Sequence, residues 1–219
     1  MSANGKAASL AAAGCFCYFL LSFPAAAQNY RIVAQEIDGD RFGATVLHVW
    51  GTPYEMGFGM GVAMAPDIVA MVQEARLATG TDYMLARTAV QVMDWSMTGL
   101  EDELAGIVDG VHAVLPLAAV DAVDLKVINA IGDLYYVYFC RSHACWGRYV
   151  SEPVLTLSTR RLDFPVLFEA LYRHVLCAWD PDDGIGWVNL GWAGFVTVAT
   201  AVNEYGTQVS LHDFGEAHI

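Results

Sequence analysis

Apolar and polar positions change their period several times along the chain. Across residues 44–49 they alternate, with Ala44, Val46 and His48 set against Thr45, Leu47 and Val49. A two-residue period predicts strand, and this reading covers residues 30–50. Gly51-Thr52-Pro53-Tyr54 then reads as a turn, and a mainly helical stretch follows to about Met97. It opens on Gly57, Gly59 and Gly61 with no strong Gly-x-Gly-x-x-Gly or Walker string, so these glycines are read as close helix packing. Residues 101–115 form a clearer amphipathic helix, because Leu104, Ile107, Val108, Val111 and Leu115 recur at three- and four-residue spacing. The acidic residues 101–103 suit the positive end of its dipole, and Pro116 stops it. A further helix is expected over 122–138, ending in Tyr135-Tyr136-Val137-Tyr138-Phe139. After Cys140 the segments shorten to strands expected over 154–159, 186–190, 195–202 and 207–212, with a loop at 180–184. The pattern predicts an α+β chain, helical first and β-rich from near a cysteine.

Composition narrows the function classes. At 56% hydrophobic and 16% charged residues the chain is not disordered. Its 24 acidic and 11 basic residues give a net charge of −13, which argues against a nucleic-acid partner held through phosphates. Part of the apolar excess lies at the start, where Lys6 precedes the apolar residues 10–23, Pro24 and Ala25-Ala26-Ala27. That is a signal-peptide pattern ending before Gln28, with an uncleaved anchor or a buried helix as the alternatives. The run is shorter than the roughly 20 residues that cross a bilayer, so no stable membrane span is expected. The implied route is secretory, to a secreted, periplasmic or lysosome-like location.

Removal of residues 1–27 leaves Cys140, Cys145 and Cys177, an odd number for an exported chain. Cys140 has Arg141 beside it and Arg160 twenty residues on. Neighbouring positive charge raises the thiolate fraction of a cysteine, while a buried structural cysteine is the plainer alternative. His143, Cys145, His174 and Cys177 form a second constellation. Two histidines and two cysteines could hold zinc, a Cys145–Cys177 disulfide suits an exported chain equally, and unlinked thiols are the third reading. Arg160 and Asp163 fit either a surface ion pair or groups beside a thiol. Asn203-Glu204-Tyr205-Gly206 reads as a turn between strands.

Five segments then fall in the order of one known family. They are Gly51-Thr52-Pro53-Tyr54-Glu55-Met56-Gly57 with Gly61, Glu103-Leu104-Ala105-Gly106-Ile107-Val108-Asp109-Gly110, and Cys140 followed by Ala144-Cys145-Trp146-Gly147. Arg160-Arg161-Leu162-Asp163-Phe164 comes next, and Gly191, Gly194 and Val202-Asn203-Glu204-Tyr205-Gly206 complete the order. In these the chain resembles the C45 peptidase family, the autoproteolytic Cys acyltransferases and amidohydrolases related to penicillin acyl-coenzyme A acyltransferase. More distantly it resembles the choloylglycine hydrolases.

The resemblance implies an N-terminal-nucleophile (Ntn) hydrolase, an αββα sandwich whose precursor cuts itself between Phe139 and Cys140. An amide nitrogen is not basic, but the freed α-amino group of Cys140 has a pKa of about 8 and can take the thiol proton. The thiolate attacks an amide or acyl carbonyl, and water or an acceptor amine resolves the acyl-enzyme. By the same resemblance Arg160 lies by the thiol and Asp163 holds the new amine. Asn203 and Asp213 are secondary candidates, since the related bile-salt hydrolases carry an oxyanion-hole Asn ten residues after Asn203, where this chain has Asp213. No cofactor or metal is implied; the substrate is a small-molecule amide or acyl compound, and self-cleavage would leave an α/β heterodimer. The expected divisions are a signal peptide (1–27), a mainly helical pro-segment (28–139) and the start of a β-rich catalytic segment (140–219). Family members continue well beyond the 80 residues that run from Cys140 to Ile219. The sandwich is therefore expected to be incomplete at its C-terminus. The alternative function is a truncated or degenerate non-catalytic relative that acts as a binding or scaffold protein.

Overall fold

The computed structural model describes residues 28–38, 42–96, 99–130, 134, 139–151, 156–163 and 173–211, with backbone alone at 36–38, 42–43, 139–141, 160–163 and 173. The alternation expected early in the chain becomes two antiparallel strands, β1 (Tyr30–Asp38) and β2 (Phe42–Gly51). Gly51 then takes φ +108°, a conformation open to glycine, and the chain turns at once into α1 (Pro53–Ala63). The helix start is built locally. Thr52 and Glu55 form a reciprocal capping box, and Pro53 occupies the first turn, where its missing N–H costs nothing. The expected helical stretch resolves into α1, α2 (Ala65–Thr79) and α3 (Asp82–Val92), with α1 and α2 bent by 86°. The expected amphipathic helix is α4 (Leu100–Val114).

The fifth helix, α5 (Ala122–Asn129), covers the first part of the expected span. Asp121 and Asp124 box its start, and the Ala130 N–H closes its end on the Lys126 carbonyl. Beyond Ala130 only Leu134 of the expected span is among the described residues. The later chain forms β3 (Phe139–Trp146), one turn of 3-10 helix (Gly147–Tyr149) and β4 (Thr156–Asp163). Four more strands follow, β5 (Arg173–Pro181), β6 (Trp187–Trp192), β7 (Thr200–Asn203) and β8 (Gln208–Ser210).

These elements form a mixed α+β fold. Six strands make one sheet in the order β1-β2-β5-β6-β7-β8, and β3 and β4 pair only with each other. Every pairing in the larger sheet is antiparallel except β2 with β5, which is parallel. Strands from both sides of residue 139 therefore share one sheet.

Two strand expectations need correction. β5 was not anticipated, and Asp180 and Pro181, expected in a loop, are its last residues. The strand expected over 195–202 shrinks to β7, because the Asn129 carboxamide, not a neighbouring strand, holds Val196 and Thr197.

One face of the sheet is core. Thr45, Leu47 and Val49, then Val175, Cys177 and Trp179, then Asn189, are buried with Met56, Met60, Leu104, Ile107 and Leu125 of the helices. The opposite face carries apolar rungs across the same strands. Val46, Leu176 and Leu190 are register partners, as are Ala178, Val188 and Val202. Leu176, Leu190 and Val202 on that face are exposed. Antiparallel sheets commonly leave one face to water, but then with polar side chains on it. No single helix among the described residues is long and apolar enough to cross a membrane.

Candidate functional site

The β3–β4 ribbon collects three of the sequence-predicted residues. Its register sets Phe139 opposite Asp163, Cys140 opposite Leu162 and Ser142 opposite Arg160. Arg160 and Asp163 lie 20 and 23 residues after Cys140 in sequence, yet the strand pairing returns both to the same end of the ribbon. Asp163 is across from the residue that precedes Cys140. Arg160 is diagonal to Cys140 in the register. The Phe139–Cys140 bond thus lies at the first step of a strand.

The remaining predicted residues do not join these three. Asn203 closes the turn between β7 and β8. Its Oδ1 accepts the N–H groups of Tyr205 (3.1 Å) and Thr207 (2.8 Å), and its carbonyl accepts the Gly206 N–H at 2.9 Å. That carboxamide oxygen is used in building the turn. Asp213 lies outside the described residues, as do 1–27 and the aromatic run over 135–138. His143 and Cys145 are on β3, while His174 and Cys177 are on β5 in the other sheet. Their three-residue spacing along β5 also sends His174 and Cys177 to opposite faces, Cys177 buried and His174 exposed. The zinc alternative is therefore corrected: among the described residues no three His, Cys, Asp or Glu side chains group so as to hold a metal. The disulfide alternative is corrected with it, since Cys145 and Cys177 are both free.

The structure adds a residue that sequence reading assigned only to a helix dipole. Of the acids at 101–103, Glu101 and Asp102 are exposed, but Glu103 is buried, and its Oε1 has no hydrogen-bond partner. Burial pushes its carboxyl up to about 8. Cys177 is buried nearby; burial first, and then the field of Glu103, push its thiol up. Asn189, the register partner of Cys177, is buried with its Oδ1 unpartnered. The signal for Glu103 was in the spacing, because it stands one helical turn before Ile107 and two before Val111.

A second unanticipated feature is a depression of about 260 Å³ lined by His48, Asp180, Trp187, Asn203 and Glu204 among others. His48 Nε2 stands 3.8 Å from Asp180 Oδ2, and Glu204 Oε1 accepts the Gly186 N–H at 3.2 Å.

The first two family-like segments prove to be halves of one helix crossing. Tyr54 donates to Asp109 Oδ2 at 2.7 Å, tying α1 to α4, and that bond raises the phenol above its ordinary value. A Cβ on Gly57 would stand 2.1 Å from the Glu103 carbonyl oxygen, and one on Gly106 would stand 2.1 Å from that of Tyr54. The three glycines expected to allow close packing divide this work: Gly57 and Gly61 meet α4, and Gly59 meets Asn29 and Tyr30. These segments therefore have structural duties that do not depend on chemistry at Cys140. No family model matches the chain, and the search of curated proteins finds no match either.

Proposed function

We propose that this chain is an exported Cys Ntn amidohydrolase or acyltransferase that cuts itself between Phe139 and Cys140. It then acts on a linear amide or acyl substrate through a thioester. The single observation that carries this reading is the β3–β4 register, which sets Asp163 opposite Phe139 and Arg160 diagonal to Cys140. In the self-cleavage step Cys140 Sγ attacks the Phe139 carbonyl carbon. The C–N bond breaks, its nitrogen takes the thiol proton, and a thioester forms. Water hydrolyses the thioester, leaving a carboxylate on Phe139 and a free amine on Cys140. That amine serves as base in later turnovers, with Asp163 holding it and Arg160 offsetting the negative charge of the thiolate. The uncovered apolar face of the larger sheet also supports an αββα sandwich, in which a second sheet lies on the first.

The test is intact mass of the full chain expressed with its leader. Wild type is expected to give two products, the second starting at Cys140, whose masses sum to the processed chain plus one water. Cys140→Ala is expected to stay whole. Should wild type also stay whole, the self-cleaving mechanism is excluded for this chain. The second reading, a non-catalytic relative acting as a binding or scaffold protein, then takes its place. The exposed apolar rungs of Leu176, Leu190 and Val202 favour it, because such a face suits a partner.

A further inference from the structure

The depression at one end of the larger sheet has an apolar floor. Ala178, Val188 and Val202 line it and are register partners on β5, β6 and β7, so they form one row across the face away from the helices. Its rim is polar. His48 is the partner of Ala178 on β2, Asp180 lies two residues beyond Ala178 on the same face, and Glu204 follows β7.

Hydrogen bonds brace the walls. The Glu204 N–H donates to the Gly186 carbonyl at 3.0 Å, and the Gly186 N–H donates to Glu204 Oε1 at 3.2 Å, which ties the β5–β6 connection to the β7–β8 turn. The Asp182 N–H donates to the Gly51 carbonyl at 3.0 Å and holds the same connection to the end of β2. On that side the His48 ring packs on Trp50, with centroids 5.0 Å apart.

The carboxylates of this rim keep acceptor capacity. His48 Nε2 is 3.8 Å from Asp180 Oδ2, beyond hydrogen-bond reach, and the Asp180 side chain is 69% exposed. Glu204 uses Oε1 on Gly186 and has no partner at Oε2 among the described residues. Asp182 and Asp183, both exposed, add negative charge beside it, and no Lys or Arg lines the depression among the described residues. The cross-strand row meets a guanidinium only at Arg31 on β1, the margin of the sheet far from Glu204. Negative charge over an apolar floor selects a cation with a hydrocarbon body. At about 260 Å³ the space falls below the roughly 300–1,000 Å³ of drug-sized sites, so the occupant is small. An ammonium group has three donors and no acceptor, which suits a rim of carboxylates.

We propose that this depression seats a small aliphatic primary amine as its ammonium ion, with the chain on Ala178, Val188 and Val202 and the charge held by Asp180 and Glu204. The acids alone would make only a charged surface; the apolar floor between braced walls makes a seat. It does not depend on chemistry at Cys140.

The test is methyl NMR of the full chain at neutral pH, titrated with n-butylamine and with n-butanol and butyrate as neutral and anionic counterparts. n-Butylamine should shift the methyls of Val188 and Val202 saturably. n-Butanol should bind about fivefold more weakly, the scale of one screened ion pair, and butyrate should leave these methyls unmoved. Asp180→Asn and Glu204→Gln keep an acceptor oxygen and remove the charge, and each should weaken the amine by about the same factor. Either variant decides if the other fails to fold. Asp102→Asn, on the exposed side of α4, should leave the affinity unchanged. Nα-acetyl-lysine methylamide presents the same ammonium on a peptide unit and should bind no more tightly than n-butylamine. Unmoved Val188 and Val202 methyls, equal affinity for amine and alcohol, or full amine affinity in either folded variant overturns the seat. Tighter binding of the lysine derivative overturns its assignment to a free amine.

Discussion

Gly61 and Gly110 meet backbone to backbone where α1 crosses α4. A Cβ on Gly61 would stand 3.0 Å from the Gly110 Cα and 2.3 Å from the Ile107 carbonyl oxygen. The obstacle is backbone, so no side-chain rotation makes room. Gly61→Ala and Gly106→Ala should each lower stability by ~3 kcal/mol, the upper part of the overpacking range. Gly186→Ala is the control, as its nearest neighbour would be the Trp179 carbonyl oxygen at 3.6 Å. Urea unfolding of the three variants checks this; near-equal midpoints would show that the crossing has slack.

Glu103 predicts how stability varies with pH. Its carboxyl is raised from an ordinary 4.5 to about 8, so between those values the folded chain holds a proton that the unfolded chain has lost. The stabilisation is therefore complete below about 4.5 and drains as pH rises through about 8. The loss is at most about 5 kcal/mol by the relation between pKa shift and free energy. Denaturant titrations at several pH values should show this slope in wild type and lack it in Glu103→Gln. The same slope in both would assign the effect to other groups.

Asp124 is the anchor of the outer helices. It is 1% exposed, accepts the Tyr83 hydroxyl and Arg76 Nη2 at 2.7 Å each, and is also bonded by Arg87. Its carboxylate further accepts the Asp121 N–H at the start of α5. Asp124→Ala takes the acceptor from the buried Tyr83 phenol and a carboxylate from Arg76 and Arg87, which keep the Ala119 carbonyl and Asp121, and should cost ~3 kcal/mol. Tyr83→Phe removes one bond of this set and should cost ~1–2 kcal/mol. Thermal unfolding should rank them in that order. The reverse ranking would mean the charges contribute less than the phenol.

The legible parts of this fold are those with local causes. Thr45, Leu47 and Val49 alternate with their neighbours and are buried as expected. Leu104, Ile107 and Val111 mark one helical face, and they are buried too. β5 escaped notice because Val175, Cys177 and Trp179 face the core while Leu176 and Ala178 face outward, so apolar residues fill both faces and the two-residue period vanishes. Glu103 escaped because charge suggested solvent, although its spacing pointed inward. At the candidate site the sequence supplied the order of Cys140, Arg160 and Asp163 but not their register on the β3–β4 ribbon. That depends on which residue of β4 pairs with Phe139, a non-local choice that no run of neighbours encodes.

The single parallel seam of the sheet has a consequence for how the chain reaches this state. β2 and β5 pair from residue 43 to residue 173, across about 130 residues of intervening chain. The β1–β2 hairpin and the crossed helices can form while the rest is still being synthesised. β1 and β2 must wait for a strand made much later before they join the other four. Closing so long a loop is an entropic cost met before the contacts that repay it, which makes the seam a late and slow event in folding. Until it closes, Leu47 and Val49 have a neighbour on one side only, and β2 is an open edge on which a nascent chain could join another copy of itself.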